Sequence, residues 1–89
     1  MRIISQDKMT DTPYDNAVVY INRQTPTQIY VGGVDSDDGF PIGTYDTKED
    51  ALMVMRCIRL AYNLDYKYFH MPTTEEMKDG NPEMFEGER

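Results

Sequence analysis

The chain has no tryptophan, one cysteine and one histidine among its 89 residues. A single thiol excludes an internal disulfide and suits a reducing compartment. The one histidine, His70, has no cysteine near it in sequence, so a histidine-rich metal site cannot be built from one chain. Cations are also scarce. Nine Lys and Arg stand against sixteen Asp and Glu, a formal net charge of −7. That balance argues against direct nucleic-acid binding, which needs a positive surface to displace counterions from phosphates. No apolar run approaches the ~18 residues of a membrane span, and the N-terminus carries no apolar signal segment. A cytoplasmic protein without membrane contact is the expectation.

What is present describes one small domain. Hydrophobic residues make up 39% and charged residues 28%, ordinary values for a globular chain near the size where stability is thin. The acidity is uneven: residues 72–89 carry a net −4, and residues 1–71 only −3. We therefore expect a single domain over residues 1–71 and an acidic tail over 72–89 that is flexible and partly disordered.

Short β-branched and aromatic runs at residues 2–5, 17–21, 28–31, 40–45 and 66–71 read as strands, separated by turn-forming residues. Pro41 restricts the fourth run to an edge or to its first residues, and the last run suits an edge strand. The short connections favour an antiparallel meander. Thr47, with Asp50 three residues on, forms an Asp variant of the capping box and opens one long helix running to Leu64. Thr73 and Glu76 repeat that spacing ahead of a single helical turn. The predicted fold class is α+β: an antiparallel sheet of three to five strands packed against one long helix.

The helix is apolar on two faces. At about 100° per residue, Ala51, Val54, Met55, Ile58, Ala61 and Tyr62 share one face. Met53, Cys57, Leu60 and Leu64 lie nearly opposite. One face must pack on the sheet. The other is either covered by the C-terminal segment or meets a partner protein or a second copy of the chain. Arg56 and Arg59 lie on the flank between the faces. With Tyr62 and Tyr66 nearby they could bind an anion such as a small nucleotide, or simply balance local carboxylates. Seven tyrosines, at positions 14, 20, 30, 45, 62, 66 and 68, suit either an interface or a half-exposed sheet face.

Sites for catalysis are missing. Asp35, Asp37 and Asp38 fail as a calcium loop, because Phe40 falls where the turn glycine is required and Asp46 where the bidentate Glu belongs. Cys57 sits mid-helix among apolar residues, the setting of a small hydrophobe rather than an activated thiolate. Ser5 has no base fixed by sequence, and no Lys-Ser or helix start follows Gly32-Gly33. The expectation is a protein that is not an enzyme and uses no metal or cofactor.

Two stretches carry a resemblance. The opening Met1-Arg2-Ile3-Ile4-Ser5-Gln6-Asp7, with Pro13-Tyr14 after it, resembles a group of small phage- and prophage-associated proteins of Gram-positive bacteria. The helix start from Gly43-Thr44-Tyr45-Asp46-Thr47-Lys48-Glu49-Asp50 to Ala51-Leu52, then Met55 and Ala61-Tyr62, is similar to the same group. The likeness covers residues 1–71 and leaves the tail outside. It departs at Lys8, where the group usually carries glycine. The group offers no catalytic residues to transfer. It implies a counter-defence or host-takeover factor in the host cytosol, acting by occluding a host protein. The alternatives are an oligomeric sponge that sequesters a small nucleotide between subunits, and a small structural or assembly protein.

Overall fold

The computed structural model describes residues 1–33, 39–80 and 83–87. The aspartate-rich stretch holding Asp35, Asp37 and Asp38 lies outside the described residues. In chain order the elements are β1 (Arg2–Ile4), β2 (Asp11–Pro13), a 3-10 turn (Tyr14–Asn16), β3 (Ala17–Asn22), β4 (Thr25–Gly33) and β5 (Phe40–Thr44). There follow α1 (Lys48–Asn63), β6 (Tyr68–His70), α2 (Thr74–Lys78) and β7 (Phe85–Glu86). The class is α+β, as expected.

The expectation of one antiparallel sheet is corrected. The strands form two sheets, ordered β2-β1-β6-β7 and β3-β4-β5. The first is mixed, because β1 runs parallel to β6, pairing Arg2 with Tyr68 and Ile4 with His70. A parallel pair needs a long crossover, and here the whole β3-β4-β5 meander and α1 lie within it. In the second sheet, the side-chain amide oxygen of Asn22 accepts from the Gln24 amide at 2.9 Å and shapes the β3–β4 turn. The pairing then jumps from Ile21 opposite Ile29 to Asn22 opposite Thr25. Pro26 thus sits in a bulged part of β4 with no ladder partner in β3, which is where a sheet tolerates proline.

α1 packs on β4 of one sheet and β6 of the other, and the core forms between them. Ile3 and Phe69 come from the first sheet, Ile29, Val31 and Ile42 from the second, and Ala51, Val54, Ile58 and Ala61 from the helix, with Tyr45 and Met71 closing the cluster. Gly43 is required by this closeness: a Cβ there would stand 2.7 Å from Met71 Cε and 3.1 Å from the Tyr45 ring. The Tyr45 hydroxyl is buried without a hydrogen-bond partner among the described residues, and burial pushes its pKa up.

The Ser5-Gln6-Asp7 motif joins the layers. Ser5 Oγ donates to Asp7 Oδ1 at 2.6 Å and accepts from the Thr10 amide at 3.1 Å, while Asp7 also accepts from the Met9 amide. This turn holds Lys8 at φ 65°, the left-handed conformation that glycine adopts without strain. Gln6 reaches out of it. Its backbone amide donates to Ile42 O at 3.0 Å. Its side chain accepts from the Thr44 amide at 2.7 Å and donates to Thr44 O and Pro72 O at 3.0 and 2.9 Å.

Over its described residues the C-terminal segment forms α2 and β7. Thr73 and Glu76 form a full capping box for α2, with both bonds near 3.0 Å. β7 pairs antiparallel with β6, placing Phe85 opposite Phe69. Met77, Met84 and Phe85 pack against the core. These apolar side chains give an otherwise acidic segment something to bury, which net charge does not register.

Candidate functional site on the outer face of the long helix

Thr47 caps α1 by accepting from the Asp50 amide at 3.1 Å. Of the expected reciprocal box this is the half that forms among the described residues. The cap sets the rotation of the helix, and Ala51, Val54, Ile58 and Ala61 are buried. Met55 is half-buried, and Tyr62 stands at the rim rather than in the core, its ring 4.9 Å from that of Tyr14.

The opposite stripe is divided along its length. Cys57 is half-buried and packs against the core with Met77 and Met84 nearby. Burial pushes its thiol pKa up, away from thiolate chemistry. Pro72, Met77, Gly80 and Met84 do not close on it fully. A groove of about 190 Å³ remains, lined by Met53, Cys57, Pro72, Met77, Gly80 and Met84. Met53 is 52% exposed at one end of the stripe, while Leu60 and Leu64, at 49% and 39%, lie beyond the groove. Of the two readings open in the sequence, coverage by the C-terminal segment applies around Cys57, and Leu60 and Leu64 stay uncovered. Leu52, 38% exposed on the Arg56 flank, widens the apolar surface. Sequence reading missed it, although its position one helical turn before Arg56 was there to be read.

Of the four residues considered for anion binding, the two arginines are exposed and the two tyrosines meet other aromatic rings. Arg56 and Arg59 are exposed on the helix and take part in no ion pair among the described residues. Tyr62 is engaged with Tyr14, and Asp15 beside its hydroxyl pushes its pKa up. That carboxylate opposes an incoming anion. Tyr66 turns to Phe85, with ring centroids 4.8 Å apart.

The second concentration of polar groups is a cleft lined by Lys8, His70, Glu76, Glu83, Phe85 and Glu86. His70 Nε2 contacts a Glu86 carboxylate oxygen, and the Thr73 amide holds the Glu76 pKa below the usual carboxylate value. Among the described residues no three His, Cys, Asp or Glu side chains converge as metal ligands. Among the described residues no helix is long and apolar enough to cross a membrane.

No family model matches this chain, and neither a curated protein nor a solved structure matches it.

Proposed function

We propose that this chain is a non-catalytic binding protein that occludes a partner protein with the outer face of α1. The observation that carries this reading is the exposure of Met53, Leu60 and Leu64 along one side of a well-capped helix. An apolar stripe beside an open methionine-lined groove is the kind of surface that amphipathic partners fill, and methionine side chains adapt to the shape they meet. Arg56 and Arg59 flank the stripe and add charge-assisted contacts at its rim. The likeness of the opening residues to phage- and prophage-associated proteins suggests the setting: counter-defence or host takeover in a bacterial cytosol.

The nucleotide-sponge alternative is less favoured, because Tyr62 and Tyr66 are engaged elsewhere and Asp15 stands beside Tyr62. A purely structural role would use the same helix face without inhibiting anything. The test is affinity capture from a lysate of a Gram-positive bacterium with the wild-type chain, Leu60→Asp and Met53→Asp. A protein retained by wild type and lost from both variants, at unchanged melting temperature, supports occlusion through this face. Identical captured proteins on all three overturn it, and unfolding of both variants would make the face part of the core.

A further inference from the structure

The two sheets have four outer edges, and three of them are blunted. β2 has three residues, two of which are Asp11 and Pro13, and β7 has two, ending in Glu86. β5 carries Pro41, and its outer side is occupied by Gln6, which bonds Ile42 O and both backbone groups of Thr44. Short length, charge, proline and a covering segment are the ordinary devices that stop strands from pairing with strangers.

Among the described residues β3 has none of them along its length. It runs six residues, Ala-Val-Val-Tyr-Ile-Asn, without a charge or a proline. Among the described residues its only ladder partner is β4, and no further hydrogen bond reaches its backbone. The bulge opposite its last residue falls in β4. Val19 and Ile21 face inward, opposite Val31 and Ile29, while Tyr20 stacks on Tyr30 at 5.6 Å on the outer face, where Val18 is 44% exposed.

We propose that β3 pairs antiparallel with β3 of a second copy of this chain, joining two three-stranded sheets into one of six strands. An antiparallel edge is its own complement across a two-fold axis, because each copy offers the donors and acceptors that the other lacks. Directly opposed residues must share a face, so the axis passes through a residue of β3. Placing it at Val19 sets Val18 opposite the second copy's Tyr20 and Ala17 opposite its Ile21. The same register brings Arg23, just past one end of β3, to Asp15 of the second copy, just before the other. Both residues are exposed, Arg23 has no ion-pair partner among the described residues, and Asp15 has a loose one, the N-terminal amine at 3.8 Å, and lies beside the Tyr62 hydroxyl. Opposite charges therefore flank a neutral seam in a molecule that is acidic overall. This contact is separate from the α1 face and stands whether or not that face binds a partner.

The test is the solution mass of the full chain across a dilution series. Wild type is expected to reach twice 10.4 kDa and to dissociate on dilution. Val18→Lys is expected to stay monomeric with unchanged circular dichroism, because Val18 is on the outer face. Arg23→Asp sets like charges at both ends of the seam and should weaken the dimer roughly tenfold, with Asp15→Arg in the same chain restoring it. Leu60→Asp should leave the dimer intact. A mass of 10.4 kDa at every concentration overturns the proposal. So does a dimer that survives Val18→Lys but is lost with Leu60→Asp, or a charge swap that restores nothing.

Discussion

Replacing Gln6 with alanine should destabilise this protein more than any other exchange of a partly exposed polar residue. The side chain makes three hydrogen bonds to main-chain groups: it accepts from the Thr44 amide and donates to the carbonyls of Thr44 and Pro72. Each bond of this kind contributes about 0.5–1.5 kcal/mol net, and a buried group left unpaired costs the upper end of that range or more. Thr44 is exposed and can turn to water, whereas Pro72 is buried. Gln6→Ala should therefore cost about 2–3 kcal/mol, a large share of the roughly 5–15 kcal/mol that holds a small domain together. In a chain of this length that lowers the melting temperature by roughly 10–20 °C. Gln6→Glu separates hydrogen bonding from size. A carboxylate can still accept from Thr44, but it faces two carbonyl oxygens without a proton to share. It should be less stable than Gln6→Ala at neutral pH and recover on acidification, as protonation returns one donor. Urea unfolding of the three chains at pH 7 and pH 4 measures both effects. A Gln6→Ala variant within about 0.5 kcal/mol of wild type, the range of an ordinary surface change, would refute the clasp.

Three further expectations follow from local geometry. Gly43→Ala forces a methyl group into the space held by Met71 and Tyr45, and overpacking of that kind should cost about 1–3 kcal/mol in chemical denaturation. Lys8→Gly relieves a left-handed backbone at φ 65°; after the entropy cost of glycine it should gain up to about 1 kcal/mol, seen as a melting temperature a few degrees higher. Asp7, through bonds from Ser5 and the Met9 amide, and Glu76, through the Thr73 amide, have pKa values below their ordinary 3.8 and 4.5. A carboxylate with a lowered folded pKa contributes stability that is present above its unfolded value and lost as pH falls through the folded one. Melting temperature should thus decline below about pH 4.5, and Glu76→Gln, which keeps the cap without the charge, should flatten part of that decline.

The features legible in the sequence are those written within a few residues. Thr47 before a 3.6-residue apolar period located α1, and Thr73 with Glu76 located α2. The helix periodicity also set Met53, Leu60 and Leu64 apart from the buried face, while it did not show that Cys57 is half-buried or that Leu52 is exposed. Its partial cover was harder to foresee, because Met77, Met84 and Phe85 are scattered through an acidic segment and have no period of their own. The parallel pairing of β1 with β6 was not legible at all. Three residues are too few to show which face they bury, and nothing in Arg2–Ile4 specifies a partner at Tyr68–His70. Gln6 reads as a turn residue for the same reason: its side-chain partners lie 38 and 66 positions away. Ser5-Gln6-Asp7 builds a clasp whose bonds reach far along the chain, which a local motif does not announce.

The β1–β6 pair also sets an order of assembly. β3, β4 and β5 are joined by local connections, and such contacts form early because they close short loops. The first sheet must wait, since its second strand in space, β1, stays without its parallel neighbour until Phe69 exists. On a ribosome, which adds about 5–20 residues per second, β1 would be held by β2 alone for seconds, with its other edge bare. The bare edge of β3 would be on display over the same interval. β1 is thus made early and placed late, so a change that weakens its pairing with β6 would act on the last step of folding.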